Sequence, residues 1–343
     1  MVHYLPDDRS TKPSIVFTPW PRAYVKGRIC MTFLVTGATG FIGSYLIQRL
    51  AREGHVVVCV DSSPDHTGLS EEPGVDVISC DVGDREQVAA LFRNVPPVNR
   101  VVHLAYLMGA ESEADPQLAM RVNALGAANL FGAACETGVQ RIIFLSSESV
   151  YGPQSVYGER PVREDDYCAP ADHVLNYSLT KLLNEHLAAK YEARYGTEII
   201  ALRAPIVYGA GRIHGTTVWA SDFASLPSQG LPVKLPFPAN DINCYIYVED
   251  LVEQIYLFSL KRALAHRVYN AGGHTVRGAE LAEFVRSVLP NARIEFQEDG
   301  PGSPFIHSMD DARIRTEISF RMRSMAKGVQ AHIAKAASCA STI

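Results

Sequence analysis

The 343-residue chain is long enough for one large domain or a domain with a smaller lobe, and its composition, 47% hydrophobic and 20% charged, is that of an ordinary globular protein. A net charge of −5 with no basic block argues against nucleic acid as the main partner, and no apolar run approaches the ~18–20 residues that span a bilayer. The seven cysteines are scattered, odd in number and without a C-x-x-C pair, which points to reduced thiols, a cytoplasmic compartment and no metal framework.

Residues 1–30 are rich in proline and show no hydrophobic period, and Asp7 and Asp8 speak against a signal peptide. They are expected to form an N-terminal extension outside the ordered domain, which begins near Met31. Phe33, Leu34 and Val35 read as a buried strand. The chain then passes through Gly37, Gly40 and Gly43 into a periodic helix carrying Phe41, Ile42, Leu46, Ile47 and Leu50. Glycines let backbone approach a pyrophosphate, and a helix N-terminus offers free N–H groups with a partial positive charge, so strand, turn and helix make a phosphate cradle.

Strand and helix then alternate. Strands are expected over 55–61, 75–81, 100–105, 141–147 and 198–203, and helices over 84–93, 120–137 and 177–194. This alternation predicts an α/β fold, a Rossmann-type doubly wound parallel sheet whose ligands sit at the carboxyl ends of the strands. Asp61, Asp81, Ala105, Ser146 and Ser147 all fall at such ends. Residues 152–172 read as a loop covering the crevice. The cofactor domain is expected over 31–210. Residues 211–343 are expected to form mainly a small C-terminal substrate-binding lobe, with a return strand and helix at about 245–270. The last helical segments are placed at 280–289 and 310–336.

Tyr177 and Lys181 stand four apart on one predicted helix and so share a face. A nearby ammonium favours the phenolate, which lets a tyrosine take a proton from an alcohol or return one to a carbonyl. Ser147 at the end of the fifth strand is placed to hold the same oxygen, while hydride moves to a nicotinamide held by the glycine cradle. Asp61 lies 24 positions beyond Gly37, where a carboxylate pairs with a free ribose 2′-hydroxyl and repels a 2′-phosphate, which selects NAD over NADP. His103 reads as a packed structural histidine, and no histidine spacing suggests a metal.

Across residues 31 to about 330 the chain resembles an extended short-chain dehydrogenase/reductase of the NAD-dependent epimerase/dehydratase family. The likeness rests on Thr36-Gly-Ala-Thr-Gly-Phe-Ile-Gly43, Asp61, Cys80-Asp81-Val82, His103-Leu-Ala105, Asn123, Leu145-Ser-Ser-Glu-Ser-Val-Tyr-Gly152, Tyr177-Ser-Leu-Thr-Lys181, Leu202-Arg203, Val207-Tyr-Gly209 and Tyr247-Val-Glu-Asp250. The resemblance implies that Gly37, Gly40, Phe41, Ile42 and Gly43 touch the pyrophosphate, Asp61 the adenosine ribose, and Asp81 and Val82 the adenine. It implies that Leu104, Ala105, Asn123 and Ala204 line the dinucleotide's path. It makes Tyr177 the acid/base, Lys181 its partner and a ligand of the nicotinamide ribose, and Ser147 the third member. A homodimer through helices 120–137 and 177–194 is usual in such proteins.

Two departures bear on the substrate. Ile206 and Asn243 stand where many nucleotide-sugar enzymes of this family carry asparagine and arginine, which contact a diphosphate; isoleucine makes no polar contact and asparagine brings no charge. The segments Leu107-Met108-Gly109 and Gly215-Thr-Thr-Val-Trp219 resemble those of members acting on small substrates, such as threonine dehydrogenases, and Arg212, His214, Thr216 and Thr217 are candidates to bind a small polyol or hydroxy acid. The sequence therefore predicts an NAD-dependent dehydrogenase acting on a small sugar-, polyol- or hydroxy-acid-like substrate, with Ser147 also touching it. The other readings are an epimerase or dehydratase of a sugar or nucleotide sugar that recycles bound NAD, and a dinucleotide-binding sensor without turnover.

Overall fold

Apolar β-branched runs and 3.6-periodic segments alternate from Thr32 onward, and each becomes the element its period dictates. The structure is a computed structural model that describes residues 30–64, 72–173 and 175–340; the extension expected over residues 1–30 lies outside them except for Cys30. Residues from Met31 onward form one unit.

The first half contains β1 (Thr32–Thr36), α1 (Phe41–Arg52), β2 (Val56–Asp61), β3 (Val75–Ser79), α2 (Arg85–Asn94) and β4 (Arg100–His103). There follow the short α3 (Gly109–Ala114) and α4 (Pro116–Ala119), a turn of wider π-type winding (Met120–Leu125), α5 (Gly126–Glu136) and β5 (Arg141–Ser147). Next come α6 (Gln154–Tyr157), α7 (Asn176–Tyr195), β6 (Glu198–Ala204) and β7 (Ile206–Tyr208). The chain continues through α8 (Trp219–Ser228), β8 (Val233–Leu235), β9 (Ile242–Tyr247), α9 (Val248–Leu260) and β10 (Val268–Asn270). It ends with β11 (His274–Arg277), α10 (Gly278–Arg286), β12 (Ile294–Phe296), α11 (Ala312–Glu317) and α12 (Met325–Ala340).

Seven strands form a parallel sheet in the order β10-β6-β5-β4-β1-β2-β3. Helices α2, α5 and α7 pack side by side, and α1 packs with α9, so the sheet is sandwiched between helices. Its strands are apolar on both faces, as this requires: Phe33, Leu34, Val35, Val57, Val58 and Val60 are all fully buried. The chain runs outward from β1 to β3 and returns to the other side of β1 as β4. That reversal opens a crevice at the strand ends between β1 and β4.

Two local devices place α7. Gly196, with φ of +77°, ends α7 in the left-handed conformation that glycine adopts without steric cost. Arg203 on β6 then locks α7 to the sheet. Its guanidinium donates to both oxygens of Glu185, at 3.0 and 2.6 Å, and to the Tyr151 hydroxyl at 2.7 Å. Both charged side chains are buried, so removing either strands the other, at a cost of about 3–5 kcal/mol.

The C-terminal part departs from expectation. Residues 310–336 form two helices, α11 and α12, separated by an extended stretch, rather than one run. Strands β8, β11 and β12 pair within two small sheets, and α8 carries Pro227 in its last turn. Three- or four-residue strands hold too few residues for a period-2 pattern, and a proline reads as a breaker unless the helix is already ending. The expected strand 245–248 is longer and begins earlier, as β9, which joins β7 to β11. Among the described residues no helix is long and apolar enough to cross a membrane.

Candidate active site

The glycine turn sits at the crevice mouth and leaves no space for side chains. Gly37 has φ of +67°, and a Cβ there would lie 2.6 Å from the Ala105 nitrogen. A Cβ on Gly43 would lie 2.3 Å from the Gly37 carbonyl oxygen. Helix α1 starts at Gly40 with no side-chain cap and no acidic residue in its first turn. Its first N–H groups are therefore open to an anion and feel no competing carboxylate. This cradle, with Phe41 and Ile42 in the first turn of α1, fits the pyrophosphate of a dinucleotide.

Asp61 ends β2 beside the cradle. Its Oδ2 accepts from the Thr39 hydroxyl at 2.8 Å and the Thr39 N–H at 3.2 Å. Asp81 accepts from Arg121 Nη1 at 2.5 Å and from Gly83 N–H at 2.8 Å, and Asn129 Nδ2 donates to the Val82 carbonyl at 3.0 Å. These bonds hold the loop after β3 against the helical segment 120–136. Leu104 and Ala105 follow β4 and face the Gly37 turn, and Ala204 pairs with Ser147 in register between β6 and β5. The Asn123 side chain is turned to the segment after β4. It is fully buried, and its amide both donates to and accepts from the Leu107 backbone, at 2.9 and 2.7 Å. The π-type turn widens the helix where this side chain leaves it, so Asn123 braces the segment after β4.

Ser147, Tyr177 and Lys181 converge. The Ser147 hydroxyl lies close enough to the Tyr177 hydroxyl to lower its pKa, and it accepts from the Ser149 N–H at 3.1 Å. Ser146 points the other way and donates to Glu185 at 2.6 Å, inside the Arg203 network. Lys181 is 4% exposed, and its Nζ donates to the Leu145 carbonyl at 2.5 Å. The same Nζ stands 3.3 Å from the centroid of the Tyr106 ring and 5.3 Å from that of Tyr177.

This arrangement alters the expected electrostatics. Burial pushes the Tyr177 phenol up to about 12, against a lowering by the nearby Ser147 hydroxyl and the Arg212 charge. Burial holds the Lys181 ammonium well below its usual value, with Glu185 opposing. Lys181 is not among the groups that lower the Tyr177 phenol in the chain alone, where desolvation dominates. Tyr106 explains the arrangement: its ring stands edge-on to Tyr177, 5.3 Å between centroids, and offers its face to Lys181. The Asn184 amide donates to the Tyr106 hydroxyl at 3.2 Å and fixes it. Tyr106 was not foreseen from the sequence, since a single aromatic after a strand carries no distinguishing pattern.

His103 is buried, bonded to the Thr36 hydroxyl at 2.7 Å, and held neutral, with burial pushing its pKa to about 3. It packs against Phe131 and presents no base to the crevice.

The residues expected at the substrate meet across two loops. A Cβ on Gly109 would lie 3.0 Å from the Thr216 nitrogen, and one on Gly215 would lie 3.3 Å from Met108 Cε and 3.2 Å from Arg212 Nη2. Arg212 is half-buried, close enough for its charge to act on Tyr177, and within 6.0 Å of the Phe41 ring. Its hydrogen bonds go to the carbonyls of Val207 and His214, and no carboxylate pairs with it among the described residues. Thr216 is exposed, and the Thr217 carbonyl accepts from Ala220 N–H at the start of α8. Ile206 is buried in β7, and Asn243 is buried in β9 with its amide donating to Asp241 at 3.0 Å. Glu148 is buried beside Ser147.

The sequence model of the NAD dependent epimerase/dehydratase family matches residues 33–272. A UDP-glucose 4-epimerase of Mycolicibacterium smegmatis is 31% identical over 65% of this chain and 71% of its own length. That of Azospirillum brasilense is 29% identical over 79% of this chain and 81% of its own. Among solved structures, the UDP-glucose 4-epimerase of Thermus thermophilus in complex with NAD superposes with a TM-score of 0.74 at 27% identity, covering 89% of this chain and 99% of that one.

Proposed function

The chain belongs to the NAD-dependent epimerase/dehydratase family, and on that premise we propose that it oxidises a secondary alcohol of a small anionic substrate, a hydroxy acid or sugar acid. The cofactor is NAD. When bound, NAD accepts or returns hydride; the residues of the chain bind, orient and move the proton. Ser147 hydrogen-bonds the substrate oxygen, Tyr177 exchanges its proton, and Lys181 holds the ribose side of the crevice.

The observation that carries the reading is Arg212. A half-buried guanidinium beside Tyr177 with no carboxylate partner among the described residues fits a substrate carboxylate, which it can hold bidentately. Ile206 and the Asn243–Asp241 pair offer no charge to a diphosphate and place a carboxylate close by. The names of the relatives favour a second reading, epimerisation of a UDP-sugar with hydride returned to the substrate.

Absorbance of NADH, with NAD and L-threonine, 3-hydroxybutanoate, glucuronate or UDP-glucose, separates the two. The expected result is NADH with one of the acids, and an Arg212→Leu variant whose KM rises about ten- to a hundredfold. Interconversion of UDP-sugar epimers without net NADH, unaffected by that variant, sinks the dehydrogenase reading.

The homodimer belongs to the same proposal. Leu125, Leu179 and Leu183 lie exposed on the packed segment of the π-type turn, α5 and α7, and Leu179 and Leu183 share one helical face. A second copy laid on this face forms a four-helix contact. Light scattering is expected to give twice the chain mass for the native protein and the single mass for Leu179→Glu with Leu183→Glu; a monomeric native protein refutes the dimer. A cytoplasmic location fits the free cysteines of the described residues.

A further inference from the structure

Helix α7 carries Tyr177 as its second residue, and its start is weakly closed. The N-cap position is Leu175, whose side chain offers no cap, and the first turn holds no acidic residue. The first α-type bond, from the Leu179 N–H to the Leu175 carbonyl, is long at 3.5 Å. The anchors of the helix lie further in: Lys181 on the Leu145 carbonyl, Asn184 on the Asn123 carbonyl at 2.9 Å, and Glu185 on Arg203. The missing cap arrives from 63 positions earlier in the chain. Glu113, near the end of α3, accepts from the Asn176 N–H at 2.8 Å with one carboxylate oxygen and from Asn176 Nδ2 at 3.0 Å with the other. A carboxylate there satisfies an N–H group that the helix leaves open and faces the positive end of its dipole. Helix α3 gives it a fixed base: α3 packs on α7, Ser112 is fully buried, and a Cβ on Gly109 at its start would meet the Thr216 nitrogen at 3.0 Å.

We propose that Glu113 is a positioning residue for Tyr177, its carboxylate anchoring the first turn of α7 to α3 and so setting where the proton-exchanging hydroxyl stands. Asn176 precedes Tyr177 directly, so the two bonds fix the residue from which the tyrosine continues. Lys181 stands a full turn beyond and keeps its own anchor. Losing Glu113 therefore frees the tyrosine end of the pair and leaves the ammonium in place. Glu113 is exposed and Asn176 half-buried, so truncating the carboxylate leaves no cavity in the core and reads the two bonds themselves. Displacing a reacting group slows the chemical step without touching the cofactor's own contacts.

The inference rests on Tyr177 as the acid/base and holds for either net reaction. Glu113→Ala is expected to lower kcat about five- to thirtyfold with KM for NAD unchanged, using whichever of the compounds named above is turned over. Glu113→Gln, whose amide oxygen still accepts from the Asn176 N–H, is expected to stay within about twofold of native. Hydrogen exchange of the peptide 175–180 is expected to quicken in the alanine variant alone, with 181–190 unchanged. Tyr177→Phe run alongside separates the failures. If it keeps native turnover, the acid/base reading falls and takes this inference with it; if it is inactive while Glu113→Ala matches native kcat, this inference alone is overturned. An equal loss of kcat in the alanine and glutamine variants, or a rise in KM for NAD without a fall in kcat, also overturns it. Where none of the compounds is turned over, exchange decides: faster exchange at 175–180 in the alanine variant only supports the anchor, and unchanged exchange refutes it.

Discussion

Replacing Tyr177 with phenylalanine is expected to lower turnover by about a hundred- to ten-thousand-fold while leaving NAD affinity near the native value. In the proposed reaction its hydroxyl is the proton-exchanging atom, and the Ser147 hydroxyl lies close enough to lower its pKa. Neither of two nearby bases takes its place: His103 is neutral and turned into the core, and Lys181 is bonded to the Leu145 carbonyl. The ring itself survives in the variant, so the edge-on contact with Tyr106 and the helix packing persist. Steady-state rates with the active acid, and calorimetry with NAD, check both halves. A variant retaining more than a tenth of native turnover would remove Tyr177 from the chemistry. The pH dependence has a definite sign. Burial sets the phenol at about 12 in the chain alone, so the base form is scarce at neutral pH and grows with pH. Oxidation is expected to rise by up to about tenfold per unit through the neutral and alkaline range, and reduction, which uses the phenol, to fall only as that form is depleted.

The second large effect is expected at Gly43. An alanine there brings its Cβ to 2.3 Å from the Gly37 oxygen and 2.7 Å from the Ala38 oxygen, both backbone atoms of the turn leaving β1. Backbone cannot swing aside as a long side chain can, so α1 must move off the turn. Such overpacking costs about 1–3 kcal/mol, and the displacement opens the cradle. NAD affinity is expected to fall by about a hundredfold or more, with a lower melting temperature. Gly138→Ala is the control: its φ is +78° with nothing within 4 Å of an added Cβ, so it bears only the left-handed strain. Equal melting temperatures and equal NAD titrations for the two variants would show that the close approach at Gly43 is not what shapes the cradle.

Both effects were legible in part before any coordinates. The glycine spacing after an apolar strand located the cradle, because a turn followed by a helix is specified by a dozen consecutive residues. Tyr177 and Lys181 were paired by helical spacing alone, and Asp61 was found as the acid closing a β-branched run. Asn123, which the resemblance puts on the dinucleotide's path, braces Leu107 through its amide, a contact that depends on a helix irregularity no spacing announces. The lobe was hardest to read, as its three-residue strands pair with segments up to 61 positions away.

Neighbours along the chain dictate the strand–helix alternation, the glycine turn, the shared face of Tyr177 and Lys181, and Ser147 at the end of β5. How those groups are solvated follows from the packing of distant segments. That packing set Tyr106 against Lys181, drew Ser146 away to Glu185, left Arg212 without a carboxylate partner among the described residues, and closed Glu148 in without one. Spacing fixes which side chains can meet, but desolvation and charge depend on every element packed around them, and those arrive from distant parts of the chain.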